Sequence, residues 1–542
     1  MSELTLDHFR RAALEIGANG DNDTLPFDID VRFINENQDA LAAIAFSFAQ
    51  HLEGLSAQDA RNAINELEVF FERLLAPTGA AGFRITTKIH PFWNLYLNGL
   101  AIAIAERLEP IRSDRAHSYR FLPEGDRLFN RETSWRAFRE ATVAECESLD
   151  RDVVVVQTDI SSFYEHIYHH RIENVVEDLV AGSSHIATQI DRFLSKIASG
   201  RSFGLPVGGQ CSRILAEVFL ASVDRVLTDA DIRWHRYVDD FVLITKDHAA
   251  AYHALAKLSH ALADYGLTLN RTKTTILSGK HYCDYVQTQL NGSDDNATKL
   301  REIDLHFDPY SDRKEEDYEA LKETVGTLEI QALLDLELQK GQPDTFLVAQ
   351  IGRTLKFHPP EIALQLCETL LSATNLHAFR ASWSTIMRGI SAVRADGEFT
   401  AIFDGVDQLL DLVPEHSSHL LSAEANCLHY LRAIRFRRTE LRGRFVSLLY
   451  DGTTSQSIRR SCIDCWRQWK DRPSFIRLRN RWGGMSSEEQ RLLWLASAEF
   501  GDDGEGFRGQ ERRSALRSWA LGIETGGAPF QFADIYMRWC GR

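Results

Sequence analysis

Apolar residues along this chain fall into three regimes. In the first, Leu41–His51 and Arg61–Leu75 space them three and four apart, the helical period, and Ser56 or Asp59 is placed to cap the second run. Residues 1–83 therefore read as largely helical. In the second, Val153-Val154-Val155-Val156 is a short, continuous, β-branched run, which predicts a buried strand. Tyr237-Val238 and Phe241-Val242-Leu243-Ile244 predict two more strands, joined as a hairpin. A helix is expected through Ile214, Leu215, Val218, Phe219 and Val223, and another ends at Gly266. In the third regime helical patterns follow one another with short breaks: Leu321–Glu337, Glu361–Ser372, Phe403–Leu412, Glu424–Phe436 and Glu488–Ala498. Such lengths suggest paired helices stacked as a solenoid, although no strict repeat motif recurs. The polar, turn-rich stretch Asn291–Asn296 opens a linker over 291–315. The acidic run Asp312–Asp317 reads as a solvated helix start.

Carboxylates sit where these strands end. Asp239 and Asp240 are adjacent between the two apolar runs of the hairpin, and Asp159 follows the Val153–Val156 run. Like charges this close raise each other's pKa unless a cation neutralises them. Mg2+ is the hard ion suited to carboxylate oxygens, and it needs only one or two of them beside substrate phosphates. Two such ions, about 3.5–4 Å apart, are the machinery of in-line nucleotidyl transfer.

Two further stretches belong with them. Gly204-Leu205-Pro206-Val207-Gly208-Gly209 opens the helix at Gln210, and its glycines let backbone approach a ligand closely. Leu267–Thr274 places Lys273 where a lysine could protonate leaving pyrophosphate.

Together these residues resemble the palm of reverse transcriptases. Tyr237–Asp240 matches the family's Tyr-x-Asp-Asp box, Asp159–Tyr164 its first palm motif, and Gly204–Gly208 the motif under the primer–template and incoming nucleotide. The resemblance covers roughly residues 84 to 290. It implies an α+β, right-hand polymerase architecture: fingers-like residues 84–146 and a palm at 147–290, followed by an all-α, solenoid-like (HEAT-like) domain over 316–542. It implies metal ligation by Asp159, Asp239 and Asp240 with the carbonyl of Ile160, and a deoxynucleotide-selecting ring at Tyr164. Gly208 would touch the nucleotide, and Arg84, Lys88 and Arg120 are candidates for gripping the triphosphate. Where retroviral-type enzymes carry Gln, this chain has Val207, which donates no hydrogen bond and puts template-dependent readout in question. The wording Leu205–Glu217, with His90-Pro91, Asn94–Tyr96 and His117–Phe121, is similar to that of bacterial abortive-infection and related defence reverse transcriptases. Several members of that group make DNA without a template, priming on a protein side chain.

Composition sharpens this reading at one place. The chain has 542 residues and a formal net charge of −16, yet residues 431–482 carry fourteen Lys or Arg against four Asp or Glu. Arg435, Arg437, Arg438, Arg459, Arg460 and Arg467, interleaved with rings such as Trp466, form the pattern that holds single strands through phosphates and stacking. The alternative is a helical repeat whose rings are core and whose arginines pair with acidic neighbours. Eight cysteines form no framework, and Cys462-Ile463-Asp464-Cys465 reads as two reduced thiols. With no signal segment and no apolar stretch of membrane-spanning length, a cytoplasmic protein without membrane attachment is expected.

The sequence thus predicts a DNA polymerase of reverse-transcriptase type that uses two Mg2+ ions, with Mn2+ able to substitute. Its partners would be dNTPs and a single-stranded DNA product, and its role antiphage defence. A noncoding RNA partner and a homo-oligomer remain open. The rival readings are an RNA-templated reverse transcriptase using a noncoding RNA, and a catalytically silent helical interaction protein.

Overall fold

A computed structural model describes residues 4–125, 127–130, 135–149, 151–180, 184–291, 296–303, 314–522 and 531–541. Helices Leu6–Asn19, Ile29–Glu36, Gln38–Glu53 and Ala57–Glu66 open the chain. They gather around the helix Pro91–Leu108, whose Trp93, Tyr96 and Leu100 have no exposed surface.

The expected helix over Arg61–Leu75 is corrected by the structure. Helix ends at Glu66, and strand β1 (Phe71–Thr78) pairs antiparallel with β2 (Gly82–Ile89), from Phe71 opposite Ile89 to Thr78 opposite Gly82. Leu74 and Ala76 are buried on one face while Arg73 is exposed on the other, an alternation of period two that helical spacing hid.

The second sheet has strand order β4-β5-β3-β6, all neighbours antiparallel: β3 is Val154–Asp159, β4 Arg233–Tyr237, β5 Asp240–Thr245 and β6 Thr275–Ser278. Val153, Val155, Val242 and Ile244 pack on one face with Phe138, Tyr282 and Val286. Val154, Val156, Phe241 and Leu243 join the main core on the other. Both faces are covered, so the strands read as unbroken apolar runs and not as alternation.

Beyond the sheet the described residues are helical. Asn296–Glu302 is a helix within the expected linker, whose residues 292–295 and 304–313 lie outside the described residues, as does the start of the acidic run. The single helix expected at Leu321–Glu337 is two, Lys314–Gly326 and Ile330–Gln339, because the chain turns after Gly326. Farther on the helices stack in two rows. One row runs through Thr345–Thr354, Trp383–Ala395, Glu424–Ile434, Gln456–Gln468 and Ser487–Ser497, and the other through Pro360–Leu371, Phe403–His416 and Glu440–Gly452. The first row leans on β1 through Glu424–Ile434, and the last described helix, Gln531–Cys540, returns to Gln38–Glu53. Among the described residues no helix is long and apolar enough to cross a membrane.

Candidate active site

The β3–β5 register sets Asp159 directly opposite Asp240. Asp239 occupies the tip between β4 and β5, beside Val238 at φ +56°. A β-branched residue in the left-handed region costs on the order of 1–3 kcal/mol, so the surrounding structure must hold it there. It does so from beneath. Arg236, with no exposed side-chain surface, bonds to Asp224 and Glu217 at 2.8 Å, and Val238 N–H donates to Ser118 Oγ at 2.9 Å. Above the tip, Ile160 N–H donates to Asp239 O at 3.2 Å and Asn270 N–H to Asp159 O at 2.8 Å. Sequence-distant segments are thus tied backbone to backbone around three carboxylates.

Their electrostatics are those of an unfinished site. Partial desolvation and the neighbouring Asp240 charge push Asp239 up to about 6. Asp240 is raised by desolvation at the strand end and by the Asp159 charge. Lys273 Nζ meets Asp159 Oδ2 at 2.6 Å, and that hydrogen bond raises the lysine above its ordinary value. Asp159 Oδ1 is buried and has no hydrogen-bond partner. A buried carboxylate oxygen left bare beside two carboxylates of raised pKa fits a divalent cation. Among the described residues no three His, Cys, Asp or Glu side chains converge into a ready-made cage. That suits Mg2+, which takes one or two carboxylates and leaves the rest of its shell to water and phosphates. A cavity of about 550 Å³ opens beside Asp159, Asp240 and Lys273, with His281 and Tyr285 on its far wall.

The glycine motif is stitched to its surroundings. Gly208 has φ +117°, and a Cβ there would lie 2.2 Å from Asn22 Nδ2, so only glycine fits. Tyr164 accepts from Leu205 N–H at 2.8 Å through its carbonyl, and its ring packs on Phe163. Burial, with Tyr119 and Glu217 nearby, pushes its hydroxyl well up.

The expected triphosphate grips are corrected. Lys88 is buried in ion pairs with Asp21 and, at 3.5 Å, Asp28. Arg84 lies four residues away on the same face of β2, the face from which Thr86 and Lys88 bond the N-terminal loop. Arg120 is held by Glu109 at 2.6 Å and by the carbonyl of Ser113 at 2.8 Å. None of the three joins the carboxylates, because strand alternation and local ion pairs direct them elsewhere. Other basic residues near these motifs were not singled out. Arg73 on the opposite face of β1 and Arg201 line a cavity of about 190 Å³ with Glu165, Thr87 and Val207. Arg139 lowers Asp240 by its charge, against the larger effect of desolvation. Alternation along β1 was the signal that marks Arg73.

The expected nucleic-acid surface is corrected as well. Arg460 is 3% exposed and bonds Asp28 and Asp30, each at 2.8 Å. Arg435 and Arg467 share Asp464 at 3.2 and 2.7 Å, and Arg438 pairs with Asp471 at 3.0 Å. Arg437 pairs with Asp404, and Arg459 lies 3.8 Å from Glu489. Trp466 is buried, packed on Tyr450 under the Arg477 guanidinium. The cluster lies on stacked helices, with its arginines paired and its rings in the core. The partners of Arg460 lie some 430 positions away in sequence, which is why a local charge count misleads.

A sheet of this order, bearing carboxylates at the end of its central strand and at a neighbouring hairpin tip, is a nucleotide-polymerase palm. Residues 87–290 match the family model described as reverse transcriptase (RNA-dependent DNA polymerase). That segment is a reverse-transcriptase domain, and its chemistry is nucleotidyl transfer. No curated protein matches the chain. Among solved structures it is similar to apo telomerase from Candida tropicalis truncated from its C-terminal domain, at 13% identity and a TM-score of 0.29, over 38% of this chain and 49% of that one. The chain thus spans about half the length of that protein. It is also similar to apo telomerase from Candida tropicalis, at 11% identity and a TM-score of 0.33 over 66% and 68% of the two chains. Telomerase from Candida albicans in complex with the TWJ fragment of telomeric RNA gives 12% and 0.32 over 64% and 67%. Identities and TM-scores this low speak for neither substrate nor partner.

Proposed function

We propose that the protein is a DNA polymerase that adds dNTPs by two-metal nucleotidyl transfer, without a template strand, in bacterial antiphage defence of the abortive-infection kind. The observation that carries the catalytic part is Asp159 opposite Asp240, with Asp239 at the tip and a bare, buried oxygen on Asp159. Asp159, Asp239 and Asp240, with the Ile160 carbonyl, would hold two Mg2+ or Mn2+ ions. Bound there, the ions supply activation of the attacking hydroxyl and neutralisation of phosphate charge. The chain's own residues do the rest. By holding the ions, Asp159 and Asp240 would set the nucleotide phosphates in line with the attacking group, a geometry worth much of the barrier. Lys273 would hold a proton for the departing pyrophosphate. Tyr164 would supply the ring that excludes a ribose 2′-hydroxyl, as the resemblance implies. Arg73 and Arg201 are the fixed cations on the cleft side of the fingers hairpin.

Template independence draws its support from the fingers. Thr87 N–H donates to Val207 O at 3.0 Å, so the hairpin is bonded directly to the glycine turn. Asn22 Nδ2 reaches Thr86 Oγ1 at 3.0 Å, Thr87 O at 3.2 Å and Val207 O at 3.4 Å across the same junction. A strand passing between fingers and palm at this point would have to break these contacts. The defence role rests on the resemblance of Leu205–Glu217, His90-Pro91, Asn94–Tyr96 and His117–Phe121. A tyrosine hydroxyl serving as primer belongs to the same resemblance.

The test is dNTP incorporation with Mg2+ and no added template or primer. Products are analysed before and after protease and nuclease treatment. DNA that stays attached to protein after RNase treatment is expected. Synthesis that appears only when an RNA template is added contradicts the untemplated reading.

A further inference from the structure

Between the glycine turn and the catalytic hairpin lies a cavity of about 600 Å³, on the side of the turn away from Arg73. Its wall includes Asn19, Tyr119, Arg127, Asn130, Gln210 and Tyr237, with the backbone of Gly208 and Gly209 as floor. Tyr237 immediately precedes the Val238–Asp239 tip, so the cavity lies beside the hairpin that carries the carboxylates. The volume is that of a small-molecule site.

One side of this cavity is the chain's own N-terminal segment, fixed from four directions. Asp23 N–H donates to Gly208 O at 3.0 Å. Arg213 pairs with the Asp23 carboxylate at 2.5 Å and lies 5.1 Å over the Tyr119 ring. Asn94 Nδ2 donates to Asp21 O at 2.9 Å, and Gln210 Nε2 to Glu15 at 2.7 Å. From the C-terminal helices, Arg388 donates to Asp23 O at 3.2 Å and His429 Nε2 lies 3.2 Å from Thr24 O. The segment is a built wall, and it stands between the glycine turn and any strand approaching from that side.

We propose that this cavity seats the base of the incoming deoxynucleotide, and that Asn19 and Arg127 choose the base in place of a template strand. The proposal rests on the polymerase reading above. The chemistry of the wall suits the task. Tyr237 offers a ring face for stacking, which every base accepts. An amide presents a donor beside an acceptor and a guanidinium presents paired donors, the patterns that tell one base edge from another. Asn19 and Arg127 are exposed at the rim, so their replacement leaves the fixed wall in place.

The experiment is template-free incorporation by the full-length protein from an equimolar mixture of the four dNTPs, with the base composition of the product read by sequencing. A biased composition that does not change when oligonucleotide templates are added is expected. Arg127→Ala and Asn19→Ala should each shift the ratio of favoured to disfavoured base by about tenfold, the size set by one lost polar contact to a base edge. Unchanged composition in both variants overturns the proposal, and so does composition dictated by an added template. Loss of all incorporation in Asp239→Ala/Asp240→Ala bears on the polymerase reading alone, which separates the two failures. Should the wild-type protein not incorporate, calorimetric binding of each dNTP with Ca2+ decides the matter. Unequal affinities that level out in Arg127→Ala support a base pocket, and equal affinities in the wild type overturn it.

Discussion

Two groups of carboxylates in this molecule have opposite fates. At the palm, Asp159, Asp239 and Asp240 lie together, Lys273 is the one cation bonded to them among the described residues, and Asp239 is pushed up to about 6. At the junction of the N-terminal segment with the helical rows, Asp28, Asp30 and Glu488 are met by Lys88, Arg460 and Arg491. There burial alone would raise Asp28, but Arg460 and Lys88 outweigh it and hold the carboxyl far below its ordinary value. The residue type is the same and the environment decides the role. Carboxylates matched by arginines hold two parts of the chain together, whereas carboxylates left short of positive charge await a cation from solution.

The largest effect that could break this comparison is on activity. Asp239→Ala/Asp240→Ala should reduce dNTP incorporation by about a thousandfold or more, since neither metal would be held in place. Thermal unfolding of the same variant should show no loss of stability, because like charges have been removed. A fall in Tm would mean that these carboxylates serve the fold.

Arg460→Ala should do the reverse. It leaves Asp28, Asp30 and Glu488 short of a buried partner, and such losses cost about 3–5 kcal/mol. Denaturant unfolding should register this, while single-strand binding measured by fluorescence anisotropy should stay as it was if Arg460 is structural. Lys273→Gln should slow incorporation by about a hundredfold, the range of a positioned general acid, with little change in Tm because the side chain is 66% exposed.

A smaller effect is the pH dependence of the metal-free protein. A carboxyl with a raised folded-state pKa binds its proton more tightly when folded, so its protonated form favours the native state. Stability should therefore fall as pH rises from the unfolded value of about 3.9 through about 6, the folded value of Asp239, and level off above it. Saturating Mg2+ should remove that slope, because the cation replaces the proton. Differential scanning fluorimetry across this window, with and without Mg2+, reads both. An unchanged slope in Mg2+ would show that no ion settles on Asp239.

The palm was legible in the sequence because it is built from short-range signals. The Val153–Val156 run, the Tyr237–Ile244 hairpin and the glycine turn each carry their meaning within a few residues, and the register then brings Asp159 and Asp240 together. What failed depended on partners far away. The arginines of 431–482 looked free because Asp28 and Asp30, which Arg460 bonds, lie at the other end of the chain. Lys88 looked like a phosphate grip because nothing local reveals Asp21 beside it. The helix drawn to Leu75 erred in another way. Leu74 and Leu75 satisfy helical spacing, but pairing of β1 with β2 across the Gly79 turn, at φ +64°, overrides it.

The central claim is that Asp159, Asp239 and Asp240 are metal ligands. It is tested most directly by counting Mn2+ bound to the full-length protein by electron paramagnetic resonance, with a non-hydrolysable dNTP present, in the wild type and in Asp159→Asn. The account predicts two ions in the wild type and loss of at least one in the variant. Equal Mn2+ binding by both proteins would contradict it.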